Sequence, residues 1–230
     1  MMFVPMLGPR GDDLDAVRYG FFLLSLLTSI FYLARTGGAW YPLMPWLKAV
    51  PIGALAVIAL LSNPNGVLLG WLLLAALVLS VAGDVFLALR DEQRWFVYGL
   101  GSFLLAHLAY IAIFAIVIIG VGHRIVPWQV IALGLVAAFA AIMFATLRAK
   151  LGEMAVPVAV YMLVIVVMAG GALLVPATTP WIAVGALLFV ASDGMIAIAR
   201  FGTPFGGVHQ LIWITYYLAQ FFLLVGILRG

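Results

Sequence analysis

Eight long apolar runs follow one another along the chain, each interrupted by charged, glycine or proline residues, and they restrict what it can fold into. A helix needs about 20 predominantly apolar residues to cross the hydrocarbon of a bilayer. The runs cover residues 17–34, 46–61, 67–89, 95–120, 127–147, 154–175, 181–199 and 205–228. Their breaks are of the right kind. Asn63-Pro64-Asn65-Gly66 is a strong turn sequence, Arg90-Asp91-Glu92 is a charge cluster, and Pro176 and Pro180 bracket another turn. A transmembrane β-barrel would show short alternating segments instead. The runs predict an all-α, polytopic membrane protein, a bundle of about eight transmembrane helices. One integral membrane domain is expected over residues 1–230, with a short polar N-terminal lead, residues 1–16.

Composition narrows the function classes. Of 230 residues 67% are hydrophobic and 8% charged, whereas a soluble domain carries about 25% charged residues. That excludes a soluble enzyme and a disordered chain, and it speaks against a nucleic-acid partner. The net charge of +3 reads as a loop bias, since Lys and Arg collect on the cytoplasmic side. Arg35, Arg90, Arg94, Arg148, Lys150 and Arg200, with Lys48, fall on one side. Arg10, Arg18, Arg124 and Arg229 fall on the other. Both termini are therefore expected outside, in a bacterial-type inner or plasma membrane. The N-terminus lacks an apolar segment followed by a small-residue cleavage site, so no cleavable signal is read. With no cysteine there is no disulfide framework and no thiolate chemistry.

Five ionisable side chains stand out within the runs: Lys48, Asp84, His107, Asp193 and His209. An Asp or Lys at the centre of a spanning helix costs about 2.5–3.5 kcal/mol, and such residues usually face the bundle interior at a pathway or site. Near a helix end the bland alternative is a snorkelling or paired charge, and Lys48 has that option. The short aspartates do not. Asp84 lies six residues before Arg90 and Asp193 seven before Arg200, which sets both about 9–10 Å deeper than those arginines. Their runs are four apart and should be parallel. Two carboxylates at one depth on parallel helices can meet in one cavity, and carboxyls sharing a desolvated site divide into one acid and one base. Val81-Ala82-Gly83-Asp84 also matches Val190-Ala191-Ser192-Asp193, which fits either a four-plus-four duplication or chance similarity in Ala- and Val-rich helices.

Polar neighbours share faces with these residues: Ser80 with Asp84, His107 with Tyr110, and His209, Tyr216 and Gln220 along one stripe. Buried tyrosines and glutamines can also simply hold helices together, and that reading stands for Tyr161, Tyr217 and Ser80. The three histidines form no i, i+4 pair, so no metal site and no cofactor is expected.

In this order and spacing the residues resemble the YhhN-type lysoplasmalogenases, membrane hydrolases of about eight spans. The resemblance is carried by Lys48-Ala-Val-Pro51, Gly83-Asp84, His107-Leu-Ala-Tyr110, Pro157 to Tyr161, Ser192-Asp193, and Tyr216-Tyr217 with Gln220. It implies hydrolysis of the vinyl-ether bond of lysoplasmalogen, a lysophospholipid substrate drawn from membrane lipids, to a fatty aldehyde and a glycerophospho-base. Asp84 and Asp193 would be catalytic. Lys48, His107, Tyr110, Tyr161, Ser192, Tyr216, Tyr217 and Gln220 would bind substrate. Lys48 has two possible tasks, holding the lipid phosphate or keeping one aspartate ionised; its shallow position favours the phosphate. The residues suit the alternative of a proton-coupled transporter or lipid flippase too, with the aspartates as a relay.

Overall fold

A computed structural model describes residue 11, residues 13–176 and residues 180–229, excepting the side chains of residues 92 and 93. Most of the N-terminal lead, residues 1–10 and 12, lies outside the described residues. The described residues form eight α-helices: α1 Asp15–Arg35, α2 Met44–Leu61, α3 Leu68–Leu87, α4 Glu92–Val121, α5 Pro127–Leu151, α6 Ala155–Leu174, α7 Trp181–Phe201 and α8 Val208–Arg229. By length and hydropathy, seven stretches could cross a membrane, one of them being the whole of Pro127–Leu174. That stretch is two helices. At Gly152 φ is +53°, a left-handed conformation that glycine adopts freely, and the chain reverses through a short 3₁₀ turn, Gly152–Met154. Gln129 Nε2 of α5 then donates to the Leu173 carbonyl of α6 at 2.8 Å, so α5 and α6 pack as an antiparallel hairpin. The expected eight spans result.

Local chemistry sets the helix boundaries. The Asn63 carboxamide closes the α2–α3 turn, its Oδ1 accepting from Val67 N at 2.8 Å. Asp91 Oδ1 accepts from Arg94 N at the start of α4. Arg18 is buried; it pairs with Asp15 and donates from Nη2 to Leu61 O, satisfying a carbonyl that the end of α2 leaves open. Two spans start three residues away from the sequence expectation, the others within two. α4 begins three residues earlier, at its Asp91 cap, and α8 begins at Val208, beyond the glycines that close the α7–α8 loop.

The outside of the bundle is apolar. Leu27, Ile30, Phe31, Trp46, Ile119, Ile131, Leu135 and Leu163 are all exposed, far beyond the apolar patch a soluble monomer tolerates. The chain is a multi-pass integral membrane protein. Lipid supplies little hydrophobic force between helices, so close packing and polar contacts must hold them. α8 runs through the interior, touching α1, α2, α3 and α7. Its tightest crossing is with α7. A methyl group on Gly185 would meet the Ala219 carbonyl and the Leu223 amide at 2.9 Å, and one on Gly226 would meet Ile182 N at the same distance. Backbone cannot yield as a side-chain tip does. Gly185→Ala is expected to destabilise the fold by about 1–3 kcal/mol, the usual cost of overpacking, read as a lower Tm of the purified protein.

The loops α1–α2, α3–α4 and α7–α8 gather at one end. Trp40 Nε1 donates to Ala88 O and Gln210 Nε2 to Thr36 O. Arg35, Arg90, Arg94 and Arg200 all lie there, each guanidinium 5.1–6.0 Å from an aromatic ring centroid. Cationic and aromatic side chains of this kind suit the interface between headgroups and hydrocarbon.

Candidate active site

Asp84 and Asp193 each sit in a polar cluster of their own. Asp84, on the last turn of α3, is 1% exposed. Tyr216 Oη of α8 donates to its Oδ2 at 2.6 Å, and Lys48 Nζ of α2 stands 3.4 Å from its Oδ1. The cluster continues outward from Tyr216. Gln220 Nε2 lies 3.5 Å from Tyr216 Oη, and Tyr110 Oη of α4 donates to Gln220 Oε1 at 2.7 Å. Five sequence-predicted residues thus form one buried chain: Lys48, Asp84, Tyr216, Gln220 and Tyr110.

Asp193, on α7, has different surroundings. Tyr161 Oη of α6 donates to its Oδ2 at 2.6 Å. His107 Nε2 of α4 lies 3.4 Å from the same oxygen and 3.1 Å from Tyr161 Oη. The carboxylate is 12% exposed, and it borders a cleft between α4, α5, α6 and α7. The cleft takes in roughly 720 Å³ of space, open solvent at its mouth included. Phe96, Leu100, Phe103, Phe139, Ile165 and Val190 are among its walls, and Tyr161 and Asp193 are the hydrogen-bonding side chains among its described lining.

Each carboxylate has its own partners: no hydrogen bond or ion pair joins the two among the described residues, and the cleft that Asp193 lines does not include Asp84 in its described lining. An aromatic layer connects their clusters. Phe189 packs its ring 4.7 Å from that of His107 and 5.5 Å from that of Tyr216, and Phe103 meets both Phe189 and Tyr216. The Phe189 ring thus touches a member of each cluster, His107 of one and Tyr216 of the other. Phe189 and Phe103 carry no ionisable group, so a search for charges in apolar runs passes over them.

The clusters follow one rule. Each aspartate is held by the second helix of its own half, Lys48 of α2 or Tyr161 of α6, and by the fourth helix of the other half, Tyr216 of α8 or His107 of α4. His107 follows Asp84 by 23 residues and Tyr216 follows Asp193 by 23. A parallel four-plus-four duplication would give this exchange.

Other predicted residues lie elsewhere. Tyr217 Oη is 3.0 Å from Ser25 Oγ, which donates to the Pro51 carbonyl, so this tyrosine joins α8 to α1. Ser192 Oγ donates to Ile212 O and joins α7 to α8. Ser80 Oγ donates to Ala76 O within α3. His209 is exposed at the start of α8; the expected stripe is buried only from Tyr216 onward. Among the described residues no three His, Cys, Asp or Glu side chains come together as metal ligands would.

Comparison with known proteins gives the family. The YhhN family model matches residues 43–227, which contain every residue of both clusters. A lysoplasmalogenase of Mycobacterium tuberculosis (strain CDC 1551 / Oshkosh) is 35% identical over 196 residues, covering 82% of this chain and 71% of the relative. Lysoplasmalogenase TMEM86B of Homo sapiens is 30% identical over 194 residues, 84% of this chain and 77% of the relative. Lysoplasmalogenase TMEM86A of Bos taurus is 31% identical over 212 residues, 87% and 83% respectively. No solved structure matches. A family model spanning α2 to α8, and relatives aligned along most of their own length, establish that the chain belongs to the YhhN family.

Proposed function

We propose that the protein is a lysoplasmalogenase, hydrolysing the vinyl-ether bond of a lysophospholipid to a fatty aldehyde and a glycerophospho-base. One observation carries this reading: a carboxylate held by a tyrosine and a histidine borders a cleft that is otherwise apolar. An alkenyl chain suits such walls, and a single-chain lipid can enter sideways from the bilayer. The names of the relatives supply the substrate class.

The chemistry follows from the bond. A proton adds to the β-carbon of the vinyl ether, the π electrons forming the new C–H bond, and the α-carbon becomes an oxocarbenium ion. Water adds there and loses a proton. The hemiacetal hydroxyl then gives up its proton and forms the C=O, the C–O bond to glycerol breaks, the glyceryl oxygen takes that proton, and the aldehyde leaves. Tyr161 and His107 both engage Oδ2 of Asp193, so its other oxygen can deliver the first proton. The resulting carboxylate stands beside the cation it has created and stabilises it. It then accepts the proton that the attacking water releases. No metal or cofactor is required. Asp84 is the second member of the pair in a positioning role. With Lys48 it fixes Tyr216, and the Tyr216–Phe189 layer fixes His107. The arginine-lined end, with its aspartates, faces the cytoplasm of a bacterial plasma membrane, as the Lys and Arg bias supports.

Proton delivery to carbon leaves a label. Turnover in D₂O should give an aldehyde with one deuterium at carbon 2, read by mass spectrometry of the trapped product. Aldehyde released without that deuterium would contradict protonation at the β-carbon.

A further inference from the structure

The lipid phosphate needs a cation, and Lys48 is turned away from that task. Its Nζ points at Asp84, and its side chain is 16% exposed. We propose that Arg200, on α7 between the cleft-lining Ala197 and Phe201, is the phosphate-recognition residue; this rests on the lysoplasmalogen reading. Arg200 follows Asp193 by seven residues on α7. Ile196 and Ala197, between them, line the cleft, as does Phe201. Arg200 therefore continues the cleft-lining face about 10 Å toward the membrane surface. Its guanidinium lies 5.1 Å from the ring centroid of Phe96, and Phe96 is itself a cleft wall.

The neighbouring arginines are placed differently. Arg90 lies over Trp40 and Arg94 over Trp95, and neither ring lines the cleft. The spacing also fits the lipid. About six single bonds separate the vinyl-ether α-carbon from the phosphorus, an extended reach of about 7 Å, and the arginine side chain spans the remainder. A guanidinium offers a phosphate two parallel hydrogen bonds, which a lysine cannot reproduce. With the phosphate at Arg200 and the vinyl ether at Asp193, the alkenyl chain extends on past Val190 and Ile165.

Binding to the purified full chain, measured by calorimetry, separates phosphate recognition from cleft shape. The probes are a 1-O-alkyl lysophosphatidylcholine, which has no vinyl bond to hydrolyse, and the matching 1-O-alkylglycerol, which has no phosphate. Arg200→Gln should weaken the phospholipid about tenfold or more, the worth of a charge-assisted pair, and leave the alkylglycerol unchanged. Arg200→Lys should fall between. Arg94→Gln, which also removes an interfacial charge over an aromatic ring, should change neither. With vinyl-ether substrate, Arg200→Gln should raise KM and keep kcat. Equal loss for both probes, an unchanged phospholipid affinity, or the same loss in Arg94→Gln would overturn the assignment. Displacement of the lysolipid by inorganic phosphate as effectively as by unlabelled lysolipid would make this a free-anion site and overturn it as well. Wild type releasing no aldehyde would count against the hydrolase reading, while the calorimetric result would still decide Arg200.

Discussion

Asp193→Asn should lower kcat/KM by about 10²–10⁴-fold, the range over which a positioned acid or base accelerates a reaction, and leave the protein folded. An amide still accepts the Tyr161 hydrogen bond at Oδ1, so the helix contact survives while the proton is lost. Asp84→Asn should also remove most activity, by another route: Tyr216 keeps an acceptor, but Lys48 loses the anion 3.4 Å away, and the wall behind His107 loosens. Groups acting as one unit are not additive, so the double variant should be little worse than Asp193→Asn alone. Substantial turnover in Asp193→Asn would remove this residue from the chemistry. Substantial turnover in Asp84→Asn would leave the Lys48–Asp84 pair a feature of folding only.

Lys48→Met should have the second-largest effect, on both stability and rate. Asp84 is almost wholly buried, and removing one partner of a buried ion pair strands the other charge at a cost of about 3–5 kcal/mol. The fold should lose stability on that scale, seen as a lower Tm. Adding Asp84→Asn to Lys48→Met removes the stranded charge and should recover most of the stability without recovering activity. In the kinetics, Lys48→Met should lower kcat and move the pH–rate profile, because the charge next to a carboxylate of the site has gone. KM for the lysolipid should stay near its original value. A raised KM with unchanged kcat and pH profile would instead make Lys48 the headgroup cation, and would count against Arg200 in the same experiment.

The sequence made the helices legible because the bilayer constrains them so strongly. Only long apolar runs can span it, and the turn sequences at Asn63-Pro64-Asn65-Gly66 and the charges at Arg90-Asp91 mark where runs end. The same constraint singled out Asp84 and Asp193, since each is costly unless something inside the bundle meets it. Which side chains meet them was not legible. Lys48 and Asp84 lie on adjacent helices, but Tyr216 reaches Asp84 from the far end of the chain, and His107 crosses to Asp193 in the other half. These pairings depend on how α4 and α8 pass each other, which periodicity does not encode. The division of labour was hidden for a related reason. Phe189 and Phe103 are ordinary apolar residues in the sequence, yet their rings form the layer between His107 and Tyr216, and of the two aspartates Asp193 is the one that lines the cleft. For Lys48 depth alone favoured the lipid phosphate; its Nζ lies 3.4 Å from Asp84 Oδ1, which supports the other of its two expected tasks.

The most direct measurement compares three lysolipids of identical headgroup and chain length, incubated with the purified protein and assayed for free aldehyde and free fatty acid. They differ only in the linkage at the glycerol: vinyl ether, ester or alkyl ether. A carboxylic acid that protonates an enol-ether carbon has no carbon to protonate in the other two. Aldehyde from the vinyl ether alone, abolished by Asp193→Asn, is the predicted result; fatty acid from the ester, or no aldehyde from the vinyl ether, would contradict it.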